Sequence, residues 1–526
     1  MKSRSKKATD KAESDSPEEW TLTDQQRQAY ETVRQQLQKG SYASFLLYGV
    51  TGSGKTEVYM HLIREALKSG RSCIVLVPEI SLTPQTVDRF YSRFGDCLAV
   101  IHSRLTQAHR VEEWHRIRQG HARVVVGARS AIFSPVRELG LIIIDEEHEA
   151  SYKQDETPRY HAREVAQERA RLEGAAVVLG SATPSLESYH ATENGLSRRL
   201  ELTDRIEQRP LPQVQIIDTR RVEQGGSRER IFSYPLEQAI KDSLAKKEQV
   251  MLLLNRRGFS TCLHCPGCGH VMRCRNCRVA MAYHIDKGAL VCHGCHYKLA
   301  PPRLCPECQK SYLRYFGVGT QKVEQEAQRL FAGARIGRMD SDSTSSKDAH
   351  ETILRAFKRG QIDLLIGTQM IAKGHDFANV SLIGVISADT ALHIPDFRAA
   401  ERTFSLLTQV AGRAGRGDIP GRVVVQTLVP THYSVLSAKD HNYLEFYTKE
   451  IEFRRELALP PFTRLLQLVV GGRNEREVMR QVLELAKLIK DCPNPSWRGV
   501  VGPAPCVVSK QKGSFYWNML VKGLEP

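Results

Sequence analysis

At 526 residues the chain is long enough for two to four domains with sizeable cores, and a composition of 41% hydrophobic and 25% charged residues excludes disorder throughout. Lys and Arg number 75 against 59 Asp and Glu, and the resulting charge of +16 favours a polyanionic partner, nucleic acid first, over surface charge serving solubility alone. Nothing marks the chain for secretion or membrane insertion, because its N-terminus has no apolar core and no later run approaches about 18 apolar residues. Of 13 cysteines, eight fall in one regular cluster and Cys73, Cys97, Cys262, Cys492 and Cys506 are scattered, a usage that suits a reducing cytoplasm better than a disulfide framework.

Residues 1–19 are Lys, Ser, Glu and Asp with little to bury and read as a disordered tail, with structure expected to start near Trp20. In LTDQQRQAYETVRQQL, Thr23 or Asp24 is suited to cap a helix with Gln26 in its first turn. The apolar run SFLLY then enters Gly49-Val50-Thr51-Gly52-Ser53-Gly54-Lys55-Thr56, a G-x4-G-K-T loop between a strand and the helical pattern EVYMHLIREALKSG. Its glycines let backbone N–H groups turn around phosphates, Lys55 is placed to reach the β/γ-phosphates of ATP, and Thr56 to hold Mg²⁺.

Two further strands, SCIVLVP and ARVVVGARSAIF, lead into Glu79-Ile80-Ser81-Leu82-Thr83-Pro84-Gln85 and Gly127-Ala128-Arg129-Ser130-Ala131, loops at the ligand-binding edge of an open parallel sheet. LGLIIID delivers Asp145-Glu146-Glu147-His148 to the same edge, where Asp145 can position Mg²⁺ and Glu146 the attacking water. The polar loop from Ser151 to Arg163 sets Tyr152 and Tyr160 among Lys153, Arg159 and His161, a pattern that suits stacked single-stranded bases and equally suits aromatic residues filling a crevice. AAVVLG forms another strand, ending in Ser181-Ala182-Thr183.

Composition turns polar and charged between about 203 and 235, where the first domain is expected to end. QVMLLLN with Arg256-Arg257-Gly258 opens a second block, interrupted by cysteines spaced C-x2-C-x5-C-x2-C-x14-C-x2-C-x9-C-x2-C from Cys265 to Cys308. Eight thiolates suffice for two tetrahedral four-thiolate Zn²⁺ sites, and the spacing alone leaves their pairing open. The block resumes with ARIGRMD, a capped helix from about Ser346, the strand and loop DLLIGTQMIAKGHDF, SLIGVISAD, a helix across RAAERTFSLLTQVAGRAGRG, and GRVVVQTL closing the sheet. Gln409-Val410-Ala411-Gly412-Arg413-Ala414-Gly415-Arg416 sets two arginines three apart near that helix's end, suited to meet the γ-phosphate.

Together these motifs resemble the superfamily 2 DNA helicases of DExH type. PEISLTPQ, GARSAIF, SYKQDETPRYHAR, LNRRGF, GTQMIAKGHDF, DFRAAERTF, QVAGRAGRG and the cysteine spacing resemble the replication-restart helicase family of primosomal protein N′, over residues 20–526. The resemblance implies an α/β fold of two RecA-like parallel-sheet lobes, with a two-zinc insertion in the second and a C-terminal αβ domain. The implied ranges are lobe 1 at 20–205, a linker and the start of lobe 2 at 206–258, the zinc insertion at 259–312, lobe 2 at 313–430 and the C-terminal domain at 431–526. It implies that Gln26 reads adenine, that Lys55, Asp145 and Glu146 carry hydrolysis, and that Arg413 and Arg416 stabilise charge on the phosphoryl group. His148, Thr183 and Gln409 would link nucleotide state to the lobe interface. Arg129, Tyr152, Lys153, Tyr160, Thr183 and Thr368 are expected on or toward the DNA path.

The resemblance also implies interleaved zinc sites, Cys265, Cys268, Cys305 and Cys308 on one ion and Cys274, Cys277, Cys292 and Cys295 on the other. Cys262 is then a bystander, and His264 and His270 are surface residues. Family members usually carry a 3′-end-binding domain and a winged helix before the G-x4-G-K-T loop, for which only the short tail stands here. The last αβ domain is expected to stop short of its final helix and strand, and Pro158 stands where some members have tryptophan. The implied activity is ATP- and Mg²⁺-dependent 3′-to-5′ unwinding at stalled forks, by a monomer in the bacterial cytoplasm and nucleoid. Its implied partners are forked and single-stranded DNA, single-stranded DNA-binding protein, primosome proteins and the replicative helicase or its loader. The alternatives are a fork-bound assembly platform that unwinds little and a shortened product of a longer gene.

Overall fold

The computed structural model describes residues 21–79, 83–103, 105–206, 211–221, 230–254, 262–275, 280–284, 288–292, 295–315, 319–340, 349–368, 371, 377, 379–394, 396–415, 420–492, 497–511 and 513–523. The expected tail at 1–19, Ile80-Ser81-Leu82, Arg256-Arg257-Gly258, Cys277, Ser346 and Arg416 lie outside the described residues. The chain divides into two compact units, Met1–Arg209 and Pro210–Pro526.

Among its described residues the first unit holds seven strands, β1 (Ala43–Gly49), β2 (Ser72–Leu76), β3 (Leu98–Ile101), β4 (Val124–Gly127), β5 (Leu139–Asp145), β6 (Ala176–Ser181) and β7 (Arg198–Leu202). They pair in the order β3-β4-β2-β5-β6-β1-β7, every pair parallel. Parallel strands covered on both faces need unbroken apolar runs, and CIVL of β2, VVVG of β4 and LGLIII of β5 are buried throughout. Its helices are α1 (Asp24–Lys39), α2 (Lys55–Lys68), α3 (Pro84–Phe94), α4 (Gln107–Gln119), α5 (Ala162–Glu173) and α6 (Leu186–Glu193). Val33 and Leu37 of α1 and Leu62 and Ile63 of α2 join Phe45, Val75, Ile143 and Val178 of the sheet in one core. Because all strands run one way, their carboxyl ends bring Gly49, Gly127, Asp145 and Ser181 to a single edge.

The second unit opens with β8 (Gln213–Asp218), α7 (Tyr234–Ala245) and β9 (Gln249–Leu254). The cysteine-rich insert follows with short strands β10 (Leu263–His264), β11 (Ala282–His284), β12 (Ala289–Val291), β13 (Lys298–Leu299) and β14 (Arg314–Tyr315), paired antiparallel. Beyond it lie α8 (Thr320–Leu330), β15 (Ile336–Met339), α9 (Ala349–Lys358), β16 (Leu364–Gly367), β17 (Val380–Ser387), α10 (Asp389–Leu392), α11 (Ala399–Ala411) and β18 (Arg422–Thr427). The parallel sheet runs β15-β16-β9-β17-β18-β8. GRVVVQTL is therefore next to last, and the edge belongs to β8, from the stretch whose polarity reads as linker. Alternating polar residues suit an edge, and Gln213 and Gln215 of β8 are exposed while Val214 and Ile217 are buried.

The insert is fastened to this sheet. Arg220 Nη1 donates to Cys268 O at 3.2 Å, the Cys262 thiol donates to His393 O at 3.2 Å, and Gly269 lies so close to Leu428 O that a Cβ would sit 2.3 Å from it. Helices α12 (Tyr433–Lys439) and α13 (Tyr443–Glu456) lead to β19 (Arg464–Gly472), α14 (Glu475–Asp491), β20 (Trp497–Gln511) and β21 (Ser514–Gly523), an antiparallel β19-β21-β20 sheet. Val478, Val482 and Ala486 of α14 pack on its Trp517 and Met519. Among the described residues no helix is long and apolar enough to cross a membrane.

Candidate active site and metal centres

Thr23 caps α1 as the sequence suggests. Its side chain accepts from the Gln26 amide and its own N–H donates to Gln26 Oε1 at 3.0 Å, a complete capping box. Gln26 Nε2 then donates to Ser53 O at 2.8 Å, and Gln26 is only 4% exposed. The side chain expected to read adenine thus braces the phosphate loop from behind, with both ends of its amide engaged inside the protein.

The loop turns through Gly52 and Gly54, whose φ of +86° and +79° only glycine adopts without strain. No side chain caps α2, and an uncapped helix N-terminus after a glycine-rich loop suits a phosphate. Lys55 Nζ folds back to Gly49 O at 2.7 Å. Ser53 Oγ is buried without a hydrogen-bond partner, and so is Glu146 Oε2. Two orphaned polar atoms beside Lys55, Thr56 and Asp145 fit a polar, cation-bearing ligand such as Mg²⁺ with nucleotide.

Asp145 ends β5, and Tyr59 of α2 donates its hydroxyl to Asp145 Oδ1 at 3.1 Å. Tyr59 can reach because residue 180 is glycine: a Cβ there would lie 1.6 Å from the Tyr59 hydroxyl oxygen. Burial, then repulsion from Glu146, pushes the Asp145 carboxyl up to about 6, while Lys55 and the Tyr59 hydroxyl act in the opposite direction. Glu146 takes a left-handed φ of +47° and its Oε2 lies 3.7 Å from His148 Nδ1. His148 Nδ1 is 2.7 Å from Ser181 Oγ, which accepts from the Thr183 amide at 3.0 Å, and Thr183 Oγ1 is 3.5 Å from His148 Nε2.

Glu147 was given no role by its sequence, yet it anchors the whole turn. It is 1% exposed and accepts from the Ser185 amide at 2.7 Å, from Arg163 at 2.8 Å and from the Ser188 hydroxyl at 2.8 Å. Burial alone would raise its carboxyl, but Arg163 and the Ser185 amide outweigh that and hold it below the usual range. A third carboxylate after a buried strand, followed by an arginine on the next helix, is the signal available in the sequence.

The aromatic loop differs from the stacking pattern in one residue. Tyr152 is 1% exposed and donates its hydroxyl to Asp145 O at 2.7 Å, so its ring faces the interior where no base can reach. Thr183, also expected on the DNA path, is 0% exposed. Tyr160, by contrast, meets Phe133 edge-on at 5.0 Å between centroids, and the Arg129 guanidinium lies 6.0 Å from the Tyr160 ring. Arg129 is held by Ser151 O at 2.9 Å and Lys153 O at 2.5 Å, Lys153 is exposed, and Phe133 is 57% exposed. An exposed aromatic edge beside a fixed guanidinium is suited to a nucleobase. Phe133 was the residue missed, although GARSAIF places it four residues after Arg129.

In the second unit, Thr368 is half-buried just past β16, and Gln409 is half-buried on α11. The helix stops at Ala411, so Arg413 stands in the turn after it, where Gly412 and Gly415 disfavour continuation. The Sγ atoms of Cys265, Cys268, Cys305 and Cys308 lie within 4.8 Å of one another, as do those of Cys274, Cys292 and Cys295. The first cluster is the expected outer set and the second holds the three described members of the expected inner set, and all-thiolate sets suit a soft tetrahedral metal such as zinc. His264 and His270 are half-buried and belong to neither cluster.

Residues 23–192 match the DEAD/DEAH box helicase model, 313–418 the helicase conserved C-terminal domain, and 455–525 the primosomal protein N C-terminal domain. The chain is 47% identical to replication restart protein PriA of Bacillus subtilis (strain 168), covering 95% of this chain and 62% of that protein. It is 42% identical to replication restart protein PriA of Treponema pallidum (strain Nichols), covering 96% and 75%. RecG bound to a three-way DNA junction aligns with a TM-score of 0.48 at 16% identity, over 83% of this chain and 50% of that one. The chain thus spans less than two thirds of the Bacillus protein, and it belongs to the PriA family of replication restart proteins.

The raised Asp145 carboxyl has a signed consequence. A carboxyl whose folded value is raised stabilises the fold below its unfolded value near 4, and that stability is lost as pH rises through about 6. Asp145→Asn should therefore stabilise the metal-free protein at pH 8 by about 1–3 kcal/mol and by much less at pH 5, read by thermal melting at both values.

Proposed function

We propose that this member of the PriA family is an ATP- and Mg²⁺-dependent DNA helicase and translocase. It moves 3′ to 5′ at stalled forks in the bacterial cytoplasm, promotes primosome assembly and helps reload the replicative helicase. The observation that carries the reading is the half-buried Asp145, held by Tyr59 and Tyr152 on the sheet edge that also bears the phosphate loop. In this reading the first-turn amides of α2 and Lys55 bind the β- and γ-phosphates, while Thr56 and Asp145 hold the metal. Mg²⁺ supplies charge neutralisation on the phosphoryl oxygens when bound. Glu146 orients and deprotonates the attacking water, Arg413 and Arg416 stabilise developing charge, and Gln409 links nucleotide state to that step.

Single-stranded DNA lies against Phe133, Tyr160, Arg129 and Lys153 of the first unit, and a DNA contact is assigned separately to Thr368. Tyr152 joins that loop to Asp145 through its hydroxyl. Single-stranded DNA-binding protein and the loader of the replicative helicase are the partners proposed for the insert and the C-terminal domain. The two thiolate clusters hold one Zn²⁺ each, with Cys277 completing the inner set.

Lys55→Ala should retain fork binding and lose ATP hydrolysis and unwinding by at least about 100-fold, since it removes the charge aimed at the phosphates. Unwinding at the wild-type rate by that variant contradicts the reading; a wild-type protein that binds forks and never unwinds them points instead to an assembly platform. Cys274→Ser or Cys292→Ser should lower bound zinc from about two to about one per chain and reduce unwinding more than DNA-stimulated hydrolysis, because the phosphate-site residues lie outside the insert. Elemental analysis with paired hydrolysis and unwinding assays checks this, and equal loss of both activities would mean the insert holds the lobe together.

A further inference from the structure

Helix α11 carries Gln409, and Arg413 stands in the turn that follows it. The residue that fixes this helix comes from far along the chain. Arg454 of α13 is 0% exposed, and its Nη2 donates to Glu401 of α11 at 2.6 Å. Its Nε donates to Glu450 at 3.0 Å and its Nη1 to Pro460 O at 3.3 Å. The guanidinium also lies 4.9 Å from the ring centroid of Phe397, just ahead of α11. Tyr433 of α12 donates its hydroxyl to Glu450 Oε2 at 2.5 Å, so the second carboxylate is fixed from two sides.

Cohesion alone does not require these ions. Phe404 of α11 stacks on Phe446 of α13 with centroids 4.4 Å apart and planes 9° from parallel, which binds the two helices by apolar contact. A buried ion triad is often no more stable than apolar residues of the same volume, because desolvation offsets the Coulomb gain. What the triad adds is direction. Stacked rings tolerate a slide along the helix axis, whereas a rigid guanidinium fork that satisfies two carboxylates and a carbonyl at once does not. Glu401 precedes Gln409 by eight residues, about two helical turns, so its clamp sets how far the C-terminal end of α11 projects. Arg454 lies on the helix that runs into Pro460 and on to the C-terminal sheet, which ties the same register to that domain.

We propose that Arg454 is a positioning residue for ATP hydrolysis, clamping Glu401 and Glu450 to set the axial register of α11 and thereby the place of Gln409 and Arg413. The inference rests on the proposed roles of those two residues. It is tested in the full chain with Arg454→Lys, which cannot hold both carboxylates in one fork, and with the triple variant E401Q/R454M/E450Q, which removes every charge of the triad. Arg413→Ala is measured beside them.

For the folded variants, kcat for DNA-stimulated ATP hydrolysis should fall about tenfold or more while KM for ATP stays within about twofold, because phosphate-loop binding is untouched. The triple variant is compared at matched folded fraction, and if it does not fold, Arg454→Lys decides alone. Wild-type kcat in folded Arg454→Lys or in the folded triple variant overturns the inference, as does a fall in kcat that only tracks the folded fraction. If Arg413→Ala lowers kcat and the Arg454 variants do not, this inference alone fails. If Arg413→Ala leaves kcat unchanged, the role given to Arg413 fails and the inference with it.

Discussion

A carboxylate at the end of a buried apolar strand must be supplied with donors or give up its charge, and Asp145 is the point at which the first unit meets that demand. Tyr59 reaches it from the helix that starts at the phosphate loop, through the space left by Gly180. Tyr152 reaches its backbone carbonyl from the loop that bears Tyr160. Burial and Glu146 keep the carboxyl near the point of protonation, so a cation at this edge is stabilised by the same imbalance that the metal-free fold tolerates at a cost. The parallel order β5-β6-β1 puts Ser181 between Asp145 and the phosphate loop, where its hydroxyl joins His148 and the Thr183 amide. That set joins the turn after β5 to the end of β6.

The second unit follows the same logic with different groups. Its sheet and helices cohere through apolar contacts, and its exact placements come from directional ones: thiolates converging in two clusters, Arg220 on Cys268 O and Asp218, and Arg454 between two glutamates. Apolar surface supplies most of the driving force for folding and little information about register. The polar fixings supply register, and they sit where the insert and the C-terminal helices join the sheet.

Much of this was legible in the sequence because the chemistry is written contiguously. The phosphate loop needs its glycines, lysine and threonine adjacent, Asp145 to His148 must leave one strand together, and zinc knuckles need their cysteines in near pairs. What could not be read were the contacts that close over long separations. Tyr59 lies 86 residues from Asp145 and Arg454 lies 53 from Glu401, and no local periodicity marks either pairing. Tyr152 shows the converse failure: an aromatic residue among cations has the composition of a base-stacking loop, and only the packing of that loop against β5 turns the ring inward. Gln26 fits its motif, yet the capping box and Ser53 O engage its amide. Strand β8 was lost to a charged neighbourhood because an edge strand carries polar residues on its open face.

Through a single hydroxyl, Tyr152 ties the loop proposed to face DNA to the backbone carbonyl of Asp145, whose carboxylate is proposed to hold the metal. The most direct measurement is the stimulation of ATP hydrolysis by single-stranded DNA in Tyr152→Phe, which removes that hydroxyl and keeps the ring. The account predicts basal hydrolysis within about twofold of wild type and a loss of most of the stimulation, with DNA affinity retained because Phe133, Tyr160 and Arg129 are unchanged. Stimulation equal to wild type would contradict it.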